Sequence, residues 1–133
     1  MSAGRERALA FAEAYGRTWQ SWDVEGFVGL FDENVVYVAH PTEETVVGRN
    51  ALTSYFLKEK EAQGSVTVRI GRPVVDGDRV AVEFWVLATK DGEDASIAGC
   101  LNARLDETGR CTSFREYWFD LDGHAAPPVN WEP

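Results

Sequence analysis

At Gly64 the hydrophobic pattern changes period, and that change constrains the fold more than any other feature. Before it, apolar residues recur at helical spacing; after it, they alternate along runs bounded by turn residues. Helices come first and strands follow, the order of an α+β protein whose helices sit on one side of an antiparallel sheet.

Ser2 to Trp22 reads as a helix. Leu9, Ala12, Tyr15, Trp19 and Trp22 form its apolar stripe, with Arg5, Glu6, Glu13, Arg17 and Gln20 on the other face. Asp23 is placed to cap a second helix, Val24 to Phe31, with Phe27, Leu30 and Phe31 turned inward and Asp32-Glu33-Asn34 ending it. Val35 to His40 reads as the first strand, with Val35, Tyr37 and Ala39 on one face and Pro41 as its stop. A short strand is expected over Thr45 to Val47. Arg49 to Gln63 is the third helix, with Ala51, Leu52, Tyr55 and Phe56 as its stripe, Lys58 to Glu61 as a solvated end and Gly64 just past its terminus.

Beyond Gly64, Val66, Val68 and Ile70 alternate with polar residues, and Pro73 to Val75 lead to a turn at Asp76-Gly77. Strands follow at Arg79 to Thr89, Ser96 to Leu105 and Cys111 to Leu121, separated by turns at Asp91-Gly92 and Thr108-Gly109. The expectation is three N-terminal helices packed on a strongly curved, mostly antiparallel sheet, a cone with an apolar interior. Residues 1–133 would form one domain, with an irregular tail from about residue 123 whose Trp131 docks on the body.

The last strand points to chemistry. Phe114, Glu116 and Trp118 share one face; Ser113, Arg115, Tyr117 and Phe119 share the other. A carboxylate between two aromatics is costly to bury unless something pairs with it or uses it. If that face lines the cone, Glu116 is the leading acid or base, its pKa raised by burial. Tyr15 is placed to donate to a developing oxyanion, Tyr37 to orient a substrate oxygen, and His40 to relay a proton at the mouth. Trp19, Tyr37, Phe56, Phe84, Phe114 and Trp118 are the aromatics expected around a ligand. The alternative is structural: Glu116 in an ion pair with Arg69, Arg104 or Arg115. By strand parity Asn102 and Arg104 fall outside the cone. The outer face carries Trp85, Tyr117 and Phe119, which suit a homodimer interface.

Charge narrows the partners. Thirteen basic against 22 acidic residues give a net charge of −9, a field that disfavours nucleic acid and anionic membranes. No apolar run approaches the roughly 20 residues a bilayer needs, and the charged N-terminus does not read as a signal peptide. Cys100 and Cys111 sit too far apart on the expected hairpin for a disulfide, with Cys111 facing about Arg104. Free thiols and a cytoplasmic location follow. There is no C-x-x-C, no H-E-x-x-H and no glycine-rich phosphate loop, so no metal, nucleotide or flavin cofactor is expected.

Three stretches carry a resemblance: WQSWDVEGFVGLFDENVVY (Trp19 to Tyr37), VGRNALTSYF (Val47 to Phe56) and GRCTSFREYW (Gly109 to Trp118). Over about Ala8 to Leu121 the chain resembles the NTF2-like superfamily and, within it, the SnoaL-like group. The resemblance implies a cone with a pocket. It implies no single activity, since the superfamily holds ketosteroid isomerase, scytalone dehydratase, limonene epoxide hydrolase, polyketide cyclases and members that only bind or assemble. Ketosteroid isomerase uses a Tyr and a protonated Asp as an oxyanion hole and another Asp as base. By resemblance Tyr15 falls at the Tyr, Ala39 or His40 at the base, and Leu101 near the second oxyanion group. The reading is a cofactor-independent isomerase, lyase or cyclase acting on a small apolar carbonyl compound. A non-catalytic small-molecule binder and a dimerising scaffold are the alternatives.

Overall fold

The structure is a computed structural model and describes residues 3–131. In chain order it contains α1 (Ala3–Ser21), α2 (Val24–Val28), β1 (Phe31–Val38), β2 (Val46–Val47), α3 (Arg49–Gln63), β3 (Val66–Ile70), β4 (Val74–Asp76), β5 (Arg79–Lys90), β6 (Glu93–Leu105) and β7 (Cys111–Asp122). The expected helix start at Ser2 lies outside the described residues.

The seven strands form one sheet in the order β2-β1-β7-β6-β5-β3, with β4 also paired to β5. All pairings are antiparallel except β1 with β7, which is parallel. The β5–β6 hairpin turns at Asp91-Gly92, where φ values of 50° and 79° give the doubly left-handed geometry that matches strand twist. The α+β cone expected from the sequence is the observed architecture.

Strand parity sets the interior. Val80, Val82, Phe84, Val86 and Ala88 of β5 are all buried, as are Leu101, Ala103 and Leu105 of β6 and Val35, Tyr37 and Ala39 at β1. Phe84 pairs across to Gly99, and Gly99 to Trp118. A Cβ at Gly99 would lie 2.7 Å from the Phe84 ring and 2.6 Å from the Trp118 Cβ. The missing side chain is what lets these two aromatics share the inner face there. Helix α1 lays Ala8, Phe11, Ala12, Tyr15 and Trp19 into the cone. Stacked rings continue the filling: Phe27 on Phe56 at 4.2 Å between centroids, and Tyr37 on Phe114 at 4.5 Å.

Several expectations need correction. The second helix stops at Val28, and Phe31 begins β1 instead of closing a helix. Asp23 does cap α2, its side chain accepting from the Gly26 N–H at 3.0 Å, but the helix is only 5 residues long. Phe31 stays buried at 0% exposure because β1 directs it into the same core. Cys111 pairs with Leu105, not Arg104, because the ladder shifts register between Arg104 and Leu105. Cys100 sits opposite Tyr117, and both thiols are free.

The tail crosses the outer face of the sheet. The Trp85 indole donates to the Ala125 carbonyl at 2.8 Å, and the Arg69 guanidinium lies 5.2 Å from the Trp131 ring centre. Trp131 therefore docks, and Trp85 is half-buried in its own chain. Tyr117 and Phe119 stay exposed, at 47% and 63%.

Candidate active site

Glu116 is 6% exposed in the middle of β7, between Phe114 and Trp118 on the inner face. The Tyr37 hydroxyl donates to its Oε1 at 2.7 Å. The Tyr15 hydroxyl, reaching in from α1, hydrogen-bonds the same carboxyl with the weaker hold of the two. Among the described residues no Lys, Arg or His forms an ion pair with it. Arg69, Arg104 and Arg115, the partners of the structural alternative, are all exposed, and Arg104 pairs instead with Asp78 at 3.6 Å.

Burial sets the chemistry. Desolvation pushes the Glu116 carboxyl up to about 8, against the hydrogen bonds from Tyr37 and then Tyr15, which pull it down; Glu59 and Glu43 push it slightly further up. The phenols of Tyr15, Tyr37 and Tyr55 are all pushed well above their usual range, first by burial and next by Glu116. They remain neutral donors at any ordinary pH. The site thus sets a carboxyl that burial has pushed up beside phenols that stay protonated.

This carboxyl opens into a cavity of about 40 Å³, and of about 480 Å³ once its solvent-filled mouth is included. The enclosed part has room for a few waters, so a larger ligand must displace side chains at the mouth. Tyr15, Trp19, Tyr37, Phe56 and Trp118 line the cavity as expected. Phe84 and Phe114 do not reach it; they stand behind the wall, Phe84 against Trp19 at 5.4 Å and Phe114 under Tyr37. His40 is not brought to the site. Its ring packs against Trp118 at 4.8 Å, and its Nδ1 is paired with the Thr42 hydroxyl at 2.8 Å. The parity that directs Tyr37 and Ala39 inward directs His40 away.

The mouth holds residues not singled out from the sequence. The Trp19 indole donates to Gln63 Oε1 at 2.9 Å, and Gln63 Nε2 donates to Glu59 at 2.9 Å. This chain ties α1 to the end of α3. Beside it the Trp22 indole donates to the Gly64 carbonyl at 2.8 Å from a backbone held at φ 53°. Tyr55 and Ile97 complete the apolar lining, and Lys90 reaches the rim. Glu59 therefore belongs to the cavity and not to a purely solvated helix end. One face of α3 places Tyr55, Glu59 and Gln63 at i, i+4 and i+8, a signal that was present in the sequence.

An inner carboxyl backed by phenols in an aromatic cone defines a pocket protein of the NTF2-like class. The SnoaL-like domain model matches residues 12–114, and the chain belongs to that family. Among solved structures, the chain is similar to SalBIII, an epoxide hydrolase/cyclase-like enzyme in pyran ring formation in the polyether salinomycin: 25% identity over 90% of this chain and 95% of that one, TM-score 0.79. It is also similar to RV0760c from Mycobacterium tuberculosis, in complex with estradiol-17beta-hemisuccinate: 23% identity over 85% and 94%, TM-score 0.72. A third likeness is to an epoxide hydrolase of the LEH-like type from M. tuberculosis: 19% identity over 86% and 84%, TM-score 0.72. No curated protein matches the chain.

Proposed function

We propose that the cavity is the active site of a cofactor-independent isomerase, lyase or cyclase acting on a small apolar compound with a carbonyl or similarly basic oxygen. The observation that carries this reading is a buried carboxyl whose hydrogen-bond partners are phenols and not cations, at the wall of an aromatic cavity. A carboxyl poised at about 8 has a carboxylate fraction near a tenth at pH 7. In that form Glu116 takes a proton from the carbon beside the carbonyl, and the electron pair moves onto the carbonyl oxygen. Tyr15 turns its hydroxyl from Glu116 to that oxygen and donates a hydrogen bond to it. Protonated Glu116 then returns the proton to another carbon or to a leaving oxygen. Tyr37 keeps the carboxyl aimed throughout. The same layout would serve an epoxide, with protonated Glu116 polarising the ring oxygen.

A panel of small ketones incubated with the protein in deuterated water tests this without a known substrate. Deuterium enters beside the carbonyl of an accepted ketone, and Glu116→Gln lowers the exchange rate by about a hundredfold or more. Exchange that survives the substitution removes Glu116 from the mechanism.

Two further readings belong with this one. The exposed Tyr117 and Phe119 on the sheet support a homodimer through the outer face, with the tail over Trp85 at its margin. The two free thiols support a cytoplasmic location; among the described residues no helix is long and apolar enough to cross a membrane.

A further inference from the structure

We propose that the Glu116 cavity receives a small alkylammonium head, tertiary or quaternary, with the carboxylate as its counterion and the surrounding aromatic rings as its cage. This rests on the cavity being the chain's ligand site, as proposed above, and not on turnover there.

Three observations converge on it. Glu116 is a buried carboxyl that forms no ion pair among the described residues, and Tyr37 holds only one of its oxygens at short distance. Rings stand on several sides of the space it faces: Trp19 and Trp22 from α1 and its end, Tyr55 and Phe56 from α3, Trp118 from β7. Aromatic faces with a carboxylate among them are what recognises methylated ammonium groups, because the ring quadrupole and the charge both attract the cation while the methyl groups bury apolar area. The approach is acidic as well. Glu59 stands at the mouth, Glu43 lies near enough to act on Glu116, and the chain carries −9 overall. Lys90, the basic side chain at the rim, is turned to Asp120 at 2.9 Å.

The small room, about 40 Å³, favours a compact head group over a bulkier one, with its remainder left in the mouth.

Charge balance makes the idea testable. A permanent cation entering beside protonated Glu116 converts it to carboxylate and sends one proton to solvent. The groups that face Glu116 are Tyr15 on α1, Tyr37 on β1, Tyr55 and Glu59 on α3, Glu43 in the loop after β1, and Lys90 at the rim on β5. The phenols are pushed upward by burial and do not titrate in the relevant window. Affinity for a permanent cation therefore climbs by up to about tenfold per pH unit until about pH 8 and then levels.

The experiment is calorimetric titration with choline and with dimethylbutanol, its neutral isostere in which a tert-butyl group replaces the trimethylammonium. Titrations run at several pH values and in two buffers of different ionisation enthalpy. Choline is expected to bind at least about tenfold more tightly than the alcohol, with close to one proton released at about pH 7 and below. Glu116→Gln is expected to bring the ratio of the two affinities near one. If the alcohol binds as well as choline to the wild-type protein, the ammonium inference fails and the cavity stands as a site for neutral ligands. If neither compound binds, the inference fails, and the reading of the cavity as a ligand site for compounds of this size falls with it. Choline binding whose affinity is flat with pH and releases no proton removes Glu116 as the counterion.

Discussion

The two faces of β7 carry nearly the same kinds of residue and do opposite things. Inward, Phe114, Glu116 and Trp118 meet the cone; outward, Arg115, Tyr117 and Phe119 meet solvent. Phe114 is completely buried while Phe119, five residues on, is 63% exposed. Glu116 loses its water and is pushed up to about 8, whereas Arg115 lies exposed in solvent. Alternation alone sorts residues into two sets. The helices decide which set is a core, because only one face has α1 and α3 laid across it. The inner face thus desolvates a carboxyl and sets phenols beside it, and the outer face leaves Tyr117 and Phe119 exposed.

The sharpest contrast is in stability. Phe114→Ala leaves a hole beneath Tyr37 and is expected to cost about 3–5 kcal/mol in urea denaturation. Phe119→Ala in the monomer is expected to cost within about 0.5 kcal/mol. Equal losses would mean that the two faces are not divided as described.

Next in size is the pH dependence of Glu116. Its folded pKa lies above its ordinary value, so the folded state holds more protons than the unfolded one between about 4.5 and about 8. Its contribution is fully present below that window and is lost as pH rises through about 8. Glu116→Gln removes this slope. Relative to wild type, the variant should gain on the order of a few kcal/mol between pH 5 and pH 9. Parallel stability profiles for the two proteins would show that Glu116 is not desolvated.

Tyr37→Phe should have a smaller effect. It removes the 2.7 Å hydrogen bond and is expected to cost about 1–2 kcal/mol. It should also move the Glu116 midpoint further up, because that bond pulls the carboxyl down. An unmoved midpoint would give Tyr15 the larger hold.

The smallest effect on folding carries the largest information about the outer face. Phe119→Ser should leave the melting temperature nearly unchanged while shifting sedimentation towards monomer. A wild-type protein that sediments as monomer at all concentrations would end the dimer reading.

Much of this layout was legible in the sequence, for physical reasons that differ by element. The bounds of α3 were readable because Arg49 to Gln63 has a clear stripe and a glycine terminator. Glu116 was readable because strand parity and flanking aromatics together put a charge where charges are costly. Phe31 misled because Phe27, Leu30 and Phe31 also fit helical spacing, and only the pairing of β1 with β7 settles which period applies. His40 misled because the resemblance, which put the base at Ala39 or His40, outweighed parity. Gln63 and Glu59 were passed over because polar residues at a helix end usually face water. Their place in the mouth depends on how α3 crosses the sheet, which no local pattern encodes.

The most direct test is titration of the Glu116 carboxyl by carbon NMR on glutamate-labelled protein, assigned by the Glu116→Gln variant. The account requires a midpoint near 8, with the carboxyl mostly protonated at pH 7. A carboxyl already ionised at pH 6 would contradict it, because such a group would be well hydrated or paired with a cation, and Glu116 would not be the desolvated, phenol-backed carboxyl described.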